Sequence, residues 1–325
     1  MANPTPVVSV LIPAYRVSPY IAEALDSVFS QNFSHPFEVI LVNDGSPDTA
    51  ELEKAIAPFR DRLVYHVQPN GGPAGARNTA FRLSNAPLIA LLDGDDAYLP
   101  DYLRTQMEFF AADPSLTLVY GDMQVFGGTP VDGQRLCQLN REVEAPSIES
   151  LIRTTATVLN TSMVRRDAIL HAGGWDQMCA PCEDYDLWLR IAMNGKLERH
   201  TGLIARYRLR GDSLSSNPLR MYEARLRVYI KLRDNPALPS ALAPLVQERI
   251  ITTRGDIALG QGKEAFQHDD FVLAAAHLAD AARLRRDKRL SLIALLLKVS
   301  PKLVHVLTRL RARLFPRYRD ASAGL

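Results

Sequence analysis

Short apolar runs alternate with helical patterns through the first hundred residues of this chain. The four apolar runs span residues 7–12, 37–42, 63–67 and 88–92. The three helical patterns between them span residues 21–29, 49–59 and 76–83. The first two runs have the nearly continuous β-branched and apolar composition of strands that are buried on both faces. Strands that alternate with helices build βαβ units with right-handed crossovers, so the pattern predicts an α/β fold with a mostly parallel sheet flanked by helices.

Each of these four predicted strands is followed by a polar turn. The turns begin at Pro13, Asp44, Asn70 and Asp93. In an open parallel sheet the carboxyl ends of the strands share one edge, and ligands bind at that edge. The four turns are therefore expected to meet at a ligand site.

The turn after the fourth run is acidic and reads Asp93-Gly94-Asp95-Asp96. Three carboxylates on one tight turn repel one another unless water, a cation or a basic partner offsets their charge. A Mg²⁺ or Mn²⁺ ion held by one or two carboxylates, with substrate phosphates in its other positions, is a common reason for such a turn. Taken alone, the motif fits a metal site and an exposed acidic turn that caps the following helix equally well.

Length and composition restrict the class of protein. A chain of 325 residues is long enough for one large domain with an appendage, or for two domains. Three cysteines are too few for a disulfide scaffold, and although Cys179 and Cys182 have redox or zinc spacing, no second pair completes a zinc site. The N-terminus lacks the features of a signal peptide, and no apolar stretch reaches membrane-spanning length, so a cytoplasmic location is expected.

The C-terminal third differs from the rest in charge and in pattern. Residues 1–230 carry 21 basic and 27 acidic side chains, whereas residues 231–325 carry 17 and 9. From Pro218 onward the chain has an almost entirely helical pattern, and residues 283–319 contain twelve Lys or Arg and one acid among leucines and valines. Basic amphipathic helices lie at anionic bilayer surfaces, which predicts a peripheral membrane partner. The alternative is a helix packed on the main domain with a solvated basic face.

Six short motifs follow one another between residues 10 and 188. They are residues 10–15 (Val-Leu-Ile-Pro-Ala-Tyr), 42–46 (Val-Asn-Asp-Gly-Ser), 70–78 (Asn-Gly-Gly-Pro-Ala-Gly-Ala-Arg-Asn), 92–96 (Leu-Asp-Gly-Asp-Asp), 173–176 (Gly-Gly-Trp-Asp) and 183–188 (Glu-Asp-Tyr-Asp-Leu-Trp). In this order and spacing the chain resembles family 2 glycosyltransferases over about residues 7–216. The resemblance implies a GT-A fold over residues 1–216, and the helical pattern beyond it predicts an all-helical extension over residues 217–325.

The resemblance also implies roles on the donor side of the site. Pro13, Ala14 and Tyr15 would lie against the nucleotide base, and Asp44 would accept a hydrogen bond from it. Arg77 would contact the ribose or the diphosphate, or orient the acidic turn; a surface arginine paired with Asp93 to keep the turn folded is a compatible alternative. Asp93 would face the ribose, and Asp95 would ligate a divalent metal ion, Mn²⁺ or Mg²⁺, as the cofactor. The donor would be a nucleotide sugar, with a UDP-sugar expected.

On the acceptor side, the resemblance makes Asp184 the general base that removes the proton from an acceptor hydroxyl. Attack on the anomeric carbon would then proceed with inversion. Trp175, Asp176 and Glu183 would line the acceptor pocket, although Trp175 fits the core equally well. An acidic helix start that complements the helix dipole is the alternative explanation for Asp184.

One position departs from the family pattern. Arg210 stands where many relatives carry a histidine that helps to hold the metal or the diphosphate. Because arginine cannot ligate a cation but can clamp phosphate through two parallel hydrogen bonds, either Arg210 supplies charge to the phosphates directly or metal dependence is weaker than usual.

The expected function is inverting glycosyl transfer in surface polysaccharide or glycolipid assembly, with a glycan or lipid-linked acceptor. A catalytically silent scaffold subunit that binds a nucleotide sugar is the alternative from another class, and nucleotidyl transfer on a similar sheet is a second enzymatic alternative. No nucleic-acid partner is expected, because the basic tail lacks the interleaved aromatic residues of a stacking platform.

Overall fold

Eight strands form a single sheet in the computed structural model, which describes residues 5–139, 146–154, 162–211 and 217–301. The strands are β1 (Val8–Ala14), β2 (Phe37–Asn43), β3 (Val64–Val67), β4 (Leu88–Leu91), β5 (Ala97–Tyr98), β6 (Leu116–Phe126), β7 (Met163–Arg165) and β8 (Lys196–Arg208). Their order across the sheet is β3-β2-β1-β4-β7-β6-β8-β5. The first four strands run parallel to one another, whereas β7 is antiparallel to both β4 and β6, and β5 is antiparallel to β8. The predicted α/β fold with a mostly parallel sheet is confirmed.

The chain divides into two compact units, with the boundary between Gly211 and Asp212. The helices of the first unit are α1 (Ile21–Phe29), α2 (Thr49–Ile56), α3 (Gly72–Leu83), α4 (Tyr102–Ala112), α5 (Leu136–Leu139), α6 (Ile148–Arg153), α7 (Arg166–Ala172) and α8 (Glu183–Ala192). The helices of the second unit are α9 (Pro218–Arg233), α10 (Ala243–Gln267), α11 (Phe271–Arg285) and α12 (Lys288–Val299).

The centre of the sheet is the core of the first unit. Val10, Leu11 and Ile12 of β1 are fully buried, because β1 lies between two parallel neighbours and helices cover both faces. The edge strand β3 is different, since its Val64 and Val67 side chains are exposed. Burial on both faces explains why the central strands show no alternation of polar and apolar residues.

Three element boundaries differ from the pattern-based prediction. Helix α3 begins at Gly72 instead of residue 76, because the glycine-rich turn itself forms the first helical turn, with Pro73 near its start. Helix α2 ends at Ile56, and a 3-10 helix that begins at Ala57 carries the chain onward. Because proline suits the first position of a helix, the sequence also predicts that Pro100 opens the next helix, and this prediction is wrong. That helix begins at Tyr102, because the N–H of Leu99 still donates to the carbonyl of Ile204 on β8.

The second unit is helical throughout its described part, as the pattern predicts. Helices α10 and α11 pack closely where Gly262 faces Leu278, since a Cβ at position 262 would lie 2.9 Å from the Leu278 side chain. The sequence predicts that Ser300 and Pro301 divide the basic C-terminal segment into two helices. Helix α12 ends at Val299, next to that break, and the residues beyond Pro301 lie outside the described part of the chain. Among the described helices, none combines the length and the apolar composition needed to cross a membrane.

Candidate active site

The acidic turn after β4 lies against the turn after β1. The N–H of Asp96 donates to the carbonyl of Asp93 at 3.0 Å, which closes the turn. A Cβ at Gly94 would lie 3.0 Å from the Val17 side chain and 3.2 Å from the Pro13 carbonyl, so only glycine fits without displacement there. The carboxyl ends of the parallel strands thus bring the acidic turn and the segment that begins at Pro13 together.

Arg77 joins this turn to a distant helix. Its guanidinium lies 2.7 Å from Asp93 Oδ1 through Nη2 and 2.6 Å from Glu183 Oε1 through Nη1. Burial by itself lowers the pKa of Arg77, but the charges of Asp93 and Glu183 raise it above its ordinary value. Arg77 therefore remains charged, and it holds the end of β4 and the start of α8 at one site.

Glu183 is deeply buried for a carboxylate. Its side chain is 3% exposed, and its second oxygen, Oε2, has no hydrogen-bond partner among the described residues. A buried charge with one satisfied oxygen is costly, and the Arg77 guanidinium is what compensates it. Sequence reasoning placed Glu183 in the acceptor pocket and did not identify this ion pair; acceptor binding stays a prediction.

Asp184 follows directly, in the first turn of α8, and is only half-buried. Its Oδ1 accepts a hydrogen bond of 2.7 Å from the N–H of Tyr185. Burial, reinforced by the charge of Glu183, raises the pKa of Asp184 to about 6, while Arg77 opposes the shift. A carboxylate with a pKa near neutrality is well suited to accept a proton in a reaction at physiological pH.

The helix that carries these two acids is firmly held. Leu187 and Trp188 on its inner face are fully buried. The hydroxyl of Tyr185 donates to the carbonyl of Leu151 at 2.9 Å, and Arg190 bridges Asp186 to the carbonyl of Gly174. Contacts on several sides fix the N-terminus of α8, so the positions of its carboxylates follow from core packing.

The end of β8 lies against the acidic turn. Arg210 Nη1 is 3.0 Å from Asp95 Oδ2, the Arg208 side chain donates to the Asp95 carbonyl at 2.9 Å, and the Arg208 N–H donates to Asp96 Oδ1 at 2.8 Å. The guanidinium groups of Arg208 and Arg210 lie 4.7 Å and 4.9 Å from the centre of the Tyr20 ring. Sequence reasoning identified Arg210 but missed Arg208 and Tyr20, because no local pattern indicates this contact.

Burial changes the acidity of this turn. It raises the pKa of Asp95, with a further increase from Asp93 and an opposing effect from Arg210. It also raises the pKa of Asp96 well above its ordinary value, with Asp95 adding to the shift. Each added negative charge is therefore costly at this turn, and a cation near Asp95 would relieve that cost.

The residues present fit a divalent ion. The Asp95 side chain is 21% exposed and contacts Arg210 through Oδ2, whereas Asp93 is paired with Arg77 and Asp96 accepts from the β8 backbone. Hard ions such as Mg²⁺ and Mn²⁺ take oxygen ligands and bind through one or two carboxylates when substrate phosphates complete the shell. A second group of donor atoms, from Asp176, Cys179 and Asp186, lies within 4.8 Å of one another, but Asp186 is already paired with Arg190.

Asp44, which the sequence predicts to bind the donor, organises the glycine-rich turn. Its buried Oδ1 accepts hydrogen bonds from Gln68 Nε2 at 2.6 Å and from the N–H of Gly71 at 2.8 Å. Gly45 has a positive φ of 62°, and a Cβ there would lie 2.8 Å from the Asn70 nitrogen. The polar turns after β2 and β3 are thus packed against each other, and Gln68 is a contact that the motif did not reveal.

Of the predicted base-stacking segment, Ala14 is buried at the end of β1, whereas Tyr15 is 42% exposed. The Arg16 guanidinium lies 5.5 Å from the centre of the Tyr15 ring. An exposed ring at the carboxyl edge of the sheet is available to a planar ligand.

Trp175 lies in the core of the first unit. It is 2% exposed, its ring packs edge-on against Phe81 at 6.1 Å, and its backbone exchanges two hydrogen bonds with the Asn78 side chain. The Oδ1 atom of Asp176 accepts from the N–H of Met178 at 2.9 Å. The structure therefore does not bring the Trp175 ring to the surface beside Asp184. The acceptor-pocket role of Trp175 and Asp176 stays a prediction.

The fold and the site define a class of protein. A mostly parallel sheet with an acidic turn at its carboxyl edge is the architecture that the six motifs predict. The structure adds a buried arginine, Arg77, that joins this turn to a carboxylate pair at a helix start. Residues 9–169 match the family model described as glycosyl transferase family 2, and the chain belongs to this family.

A curated relative and two solved structures are similar to the chain. The hyaluronan synthase of Pasteurella multocida is 28% identical over 222 residues, which is 67% of this chain and 22% of that protein. S. aureus TarS 1–349 in complex with UDP-GlcNAc has a TM-score of 0.63 at 20% identity, over 85% of this chain and 81% of that one. The mannosyltransferase PcManGT of Pyrobaculum calidifontis, in complex with GDP-Man and Mn²⁺, has a TM-score of 0.58 at 20% identity, over 96% and 86%.

These comparisons bear on fold and on length. At 20% identity the structural similarity shows the fold alone, and the predicted GT-A fold is confirmed. The chain spans only 22% to 31% of the length of the first curated relatives that it matches.

Proposed function

We propose that this protein transfers a glycosyl group from a nucleoside-diphosphate sugar to an acceptor hydroxyl, with inversion at the anomeric carbon. The observation that carries this proposal is the Arg77 bridge, which holds the acidic turn and the start of α8 at one site. Within that site Asp184 has a pKa of about 6, the property that a general base needs. Membership of glycosyltransferase family 2 supports the same reaction class.

In the proposed reaction Asp184 accepts the proton of the acceptor hydroxyl while the oxygen of that hydroxyl attacks the anomeric carbon. The bond between that carbon and the diphosphate oxygen breaks on the opposite face, and the bonding electrons leave with the nucleoside diphosphate. The rigid packing of α8 positions the Asp184 carboxylate for this transfer. The ion pair of Arg77 with Asp93 keeps Asp93 oriented toward the donor ribose. The ion pair of Arg77 with Glu183 holds α8, the helix that carries Asp184, in place.

For the donor side we propose a UDP-sugar. Tyr15 supplies an exposed ring, and Pro13 and Ala14 supply backbone groups beside the base. Asp44 has one oxygen committed to Gln68 and Gly71, which leaves Oδ2 for a ring N–H of the base. The structural relative TarS was solved with UDP-GlcNAc and the mannosyltransferase with GDP-Man, which supports a nucleotide-sugar donor in general.

Asp95 is the proposed ligand of a divalent ion. When bound, such an ion supplies Lewis-acid stabilisation of the negative charge that grows on the departing diphosphate. Asp95 is paired with Arg210 through Oδ2, so a cation held by Asp95 would compete with the Arg210 guanidinium for this carboxylate. We propose that Arg210 then turns to the diphosphate, where its guanidinium makes two parallel hydrogen bonds to phosphate oxygens.

The acceptor and the cellular process are also part of the proposal. Similarity to a hyaluronan synthase supports surface polysaccharide assembly, with a glycan or lipid-linked acceptor. Residues 1–216 form the proposed catalytic domain, and the helical extension, residues 217–325, is proposed to bring it to the cytoplasmic face of a membrane. Trp175 and Asp176 retain a proposed role in shaping the acceptor side, through the contacts of Trp175 with Asn78 on α3.

A thermal-shift screen of UDP-GlcNAc, other UDP-sugars and GDP-mannose, each with and without Mn²⁺, tests donor binding. A ligand that binds the folded state at a hundred times its Kd stabilises that state by about 2.7 kcal/mol. Release of free nucleoside diphosphate in the same samples separates an enzyme from a silent binding subunit. If none of these nucleotide sugars shifts the unfolding temperature of the folded protein, the proposal is wrong.

A further inference from the structure

Helix α12 is apolar on both of its sides. Its inner face places Ala294 and Leu297 in a buried cluster with Ala274, Ala275 and Leu278 of α11. Its outer face exposes four large apolar side chains, which are Leu292 at 56%, Ile293 at 38%, Leu295 at 58% and Val299 at 76%. In a water-soluble protein the face opposite the core is normally polar, whereas a helix that is apolar all round is found inside a core or a membrane. The outer face of α12 therefore requires a cover.

The chemistry around this face identifies the cover. Between Arg283 and Pro301 the chain carries six Lys or Arg, all exposed, and one acid, Asp287. The Asp287 carboxylate accepts hydrogen bonds from the N–H groups of Arg289 and Leu290 at the start of α12, so its charge is committed to the helix N-terminus. Within the described part of the second unit, Lys288, Arg289 and Lys298 of α12 have no acidic partner.

The chain that follows α12 has the same character. Residues 302–325 add six Lys or Arg and one acid, together with a series of leucines and valines. The apolar outer face of α12, with Lys288, Arg289 and Lys298 beside it, is complementary to a surface that has hydrocarbon beneath a layer of negative charge. Aliphatic stems of lysine and arginine can then lie along the apolar layer while their charged ends reach the headgroups.

We propose that the outer face of α12 is the surface by which this protein docks on an anionic lipid bilayer. Helix α12 lies in the plane of the interface, with Leu292, Leu295 and Val299 among the acyl chains and with Lys288, Arg289 and Lys298 at the level of the lipid phosphates. Docking at a bilayer rests on the proposed function in one respect only, which is that the proposed acceptor gives the protein a reason to be there. Docking and sugar transfer are measured separately.

The test is co-sedimentation of the full-length protein with large unilamellar vesicles. Vesicles of phosphatidylcholine with a quarter of phosphatidylglycerol should bind it, and vesicles of phosphatidylcholine alone should bind at least about tenfold more weakly. The double variant L292S/L295S should weaken partitioning onto the anionic vesicles by about tenfold or more, because it removes apolar burial. The matched control is V272S, which changes an 85% exposed apolar residue on α11 and should bind as the wild type does.

Charge is tested independently. The triple variant K288Q/R289Q/K298Q should weaken binding by about a hundredfold, since each basic residue near such a surface contributes about fivefold, or ~1 kcal/mol. The single variant K263Q, at an exposed lysine of α10, is its control. Circular dichroism and the unfolding temperature verify that each variant is folded.

Three results would overturn the proposal. The first is wild-type protein that remains in the supernatant with anionic vesicles. The second is equal loss of binding in L292S/L295S and V272S. The third is a wild-type dimer that L292S/L295S converts to a monomer, since the cover would then be a second copy of the chain. Vesicle binding without any stabilisation by nucleotide sugars would instead contradict the proposed function and leave the docking surface intact.

Discussion

Arg77 and Glu183, which are 106 positions apart in the chain, form a buried ion pair of 2.6 Å. The other arm of the same guanidinium holds Asp93 at 2.7 Å. One side chain thus connects α3, the turn after β4 and the N-terminus of α8.

Replacement of Arg77 by methionine should destabilise the protein by about 3–5 kcal/mol, because Asp93 and Glu183 would lose their shared cation and Glu183 would remain a buried, unpaired charge. Urea denaturation at pH 7.5 measures the free energy of unfolding. The control is R82M, at an exposed arginine of the same helix that donates a hydrogen bond to Thr79, and this change should cost less than about 1 kcal/mol. Equal losses in the two variants would mean that the bridge contributes nothing beyond helix propensity.

Asp184→Asn should lower kcat by about 10²–10⁴ while the affinity for the donor nucleotide stays the same, because it removes the proposed proton acceptor and leaves the donor side intact. Initial rates with the acceptor give kcat, and isothermal titration calorimetry gives donor binding. Glu108→Gln, which changes an exposed acid on α4, should affect neither quantity. Parallel loss of donor binding and turnover in D184N would assign a structural role to Asp184.

Transfer activity should rise with pH through about 6, because Asp184 must lose its proton before it can act as a base. Glu183→Gln should move this rise to lower pH, since burial and the charge of Glu183 are the two largest causes of the raised pKa of Asp184. Glutamine still accepts a hydrogen bond from Arg77, so the geometry is retained. The measurement is kcat against pH from 4.5 to 8.5. An unchanged profile in a folded E183Q protein would contradict the role of Glu183 in setting this pKa.

Stability should also depend on the ionisation of Asp184. The pKa of Asp184 is raised from 3.8 to about 6 in the folded protein, so the folded state holds a proton that the unfolded chain has released between these values. Its contribution to the free energy of unfolding therefore falls as pH rises from about 4 to about 6. D184N should be more stable than the wild type by about 1–3 kcal/mol at pH 8 and similar to it below pH 4. A difference independent of pH would show that charge is not the cause.

Arg210→Gln should strengthen Mn²⁺ binding in the absence of nucleotide by about tenfold, because the cation no longer competes with a guanidinium for Asp95. The same variant should bind UDP about tenfold more weakly if Arg210 turns to the diphosphate. Titrations with Mn²⁺ alone and with UDP alone, monitored by electron paramagnetic resonance and calorimetry, separate the two effects. R206Q, which changes an arginine near the end of β8 that is paired with Glu23, is the control. Unchanged Mn²⁺ affinity in R210Q would exclude the competition.

Much of the fold could be predicted from the pattern of residues. The apolar pattern predicts a helix over residues 21–29, a strand near 116–126 and a helix over 183–193. The limits of α1, β6 and α8 agree with these to within about a residue, because buried strands and amphipathic helices differ in the spacing of their apolar residues. Errors arose where a neighbouring element decides the boundary. The start of α4 is one example, because β5 pairs with β8, which lies about a hundred positions further along the chain.

The candidate site was predicted in composition more than in arrangement. Motifs named Arg77, Asp95 and Asp184, but they gave no indication that Arg77 contacts Glu183 or that Arg210 contacts Asp95. Trp175 shows the same limit, because a tryptophan after two glycines fits a sugar-stacking ring and a core ring equally well. The tertiary structure distinguishes the two environments, because Trp175 is 2% exposed and its ring packs against Phe81.

The amino-acid sequence by itself determined the alternation of strands and helices, the polar turns at the strand ends and the kinds of side chain at the site. These features depend on local periodicity and on the chemistry of single residues. The tertiary structure alone decided which charges neutralise which, that Asp184 has a raised pKa and that one face of α12 lacks a polar covering. These properties depend on distances and burial between residues far apart in the chain, because electrostatic energy and desolvation are set by the three-dimensional surroundings of a group.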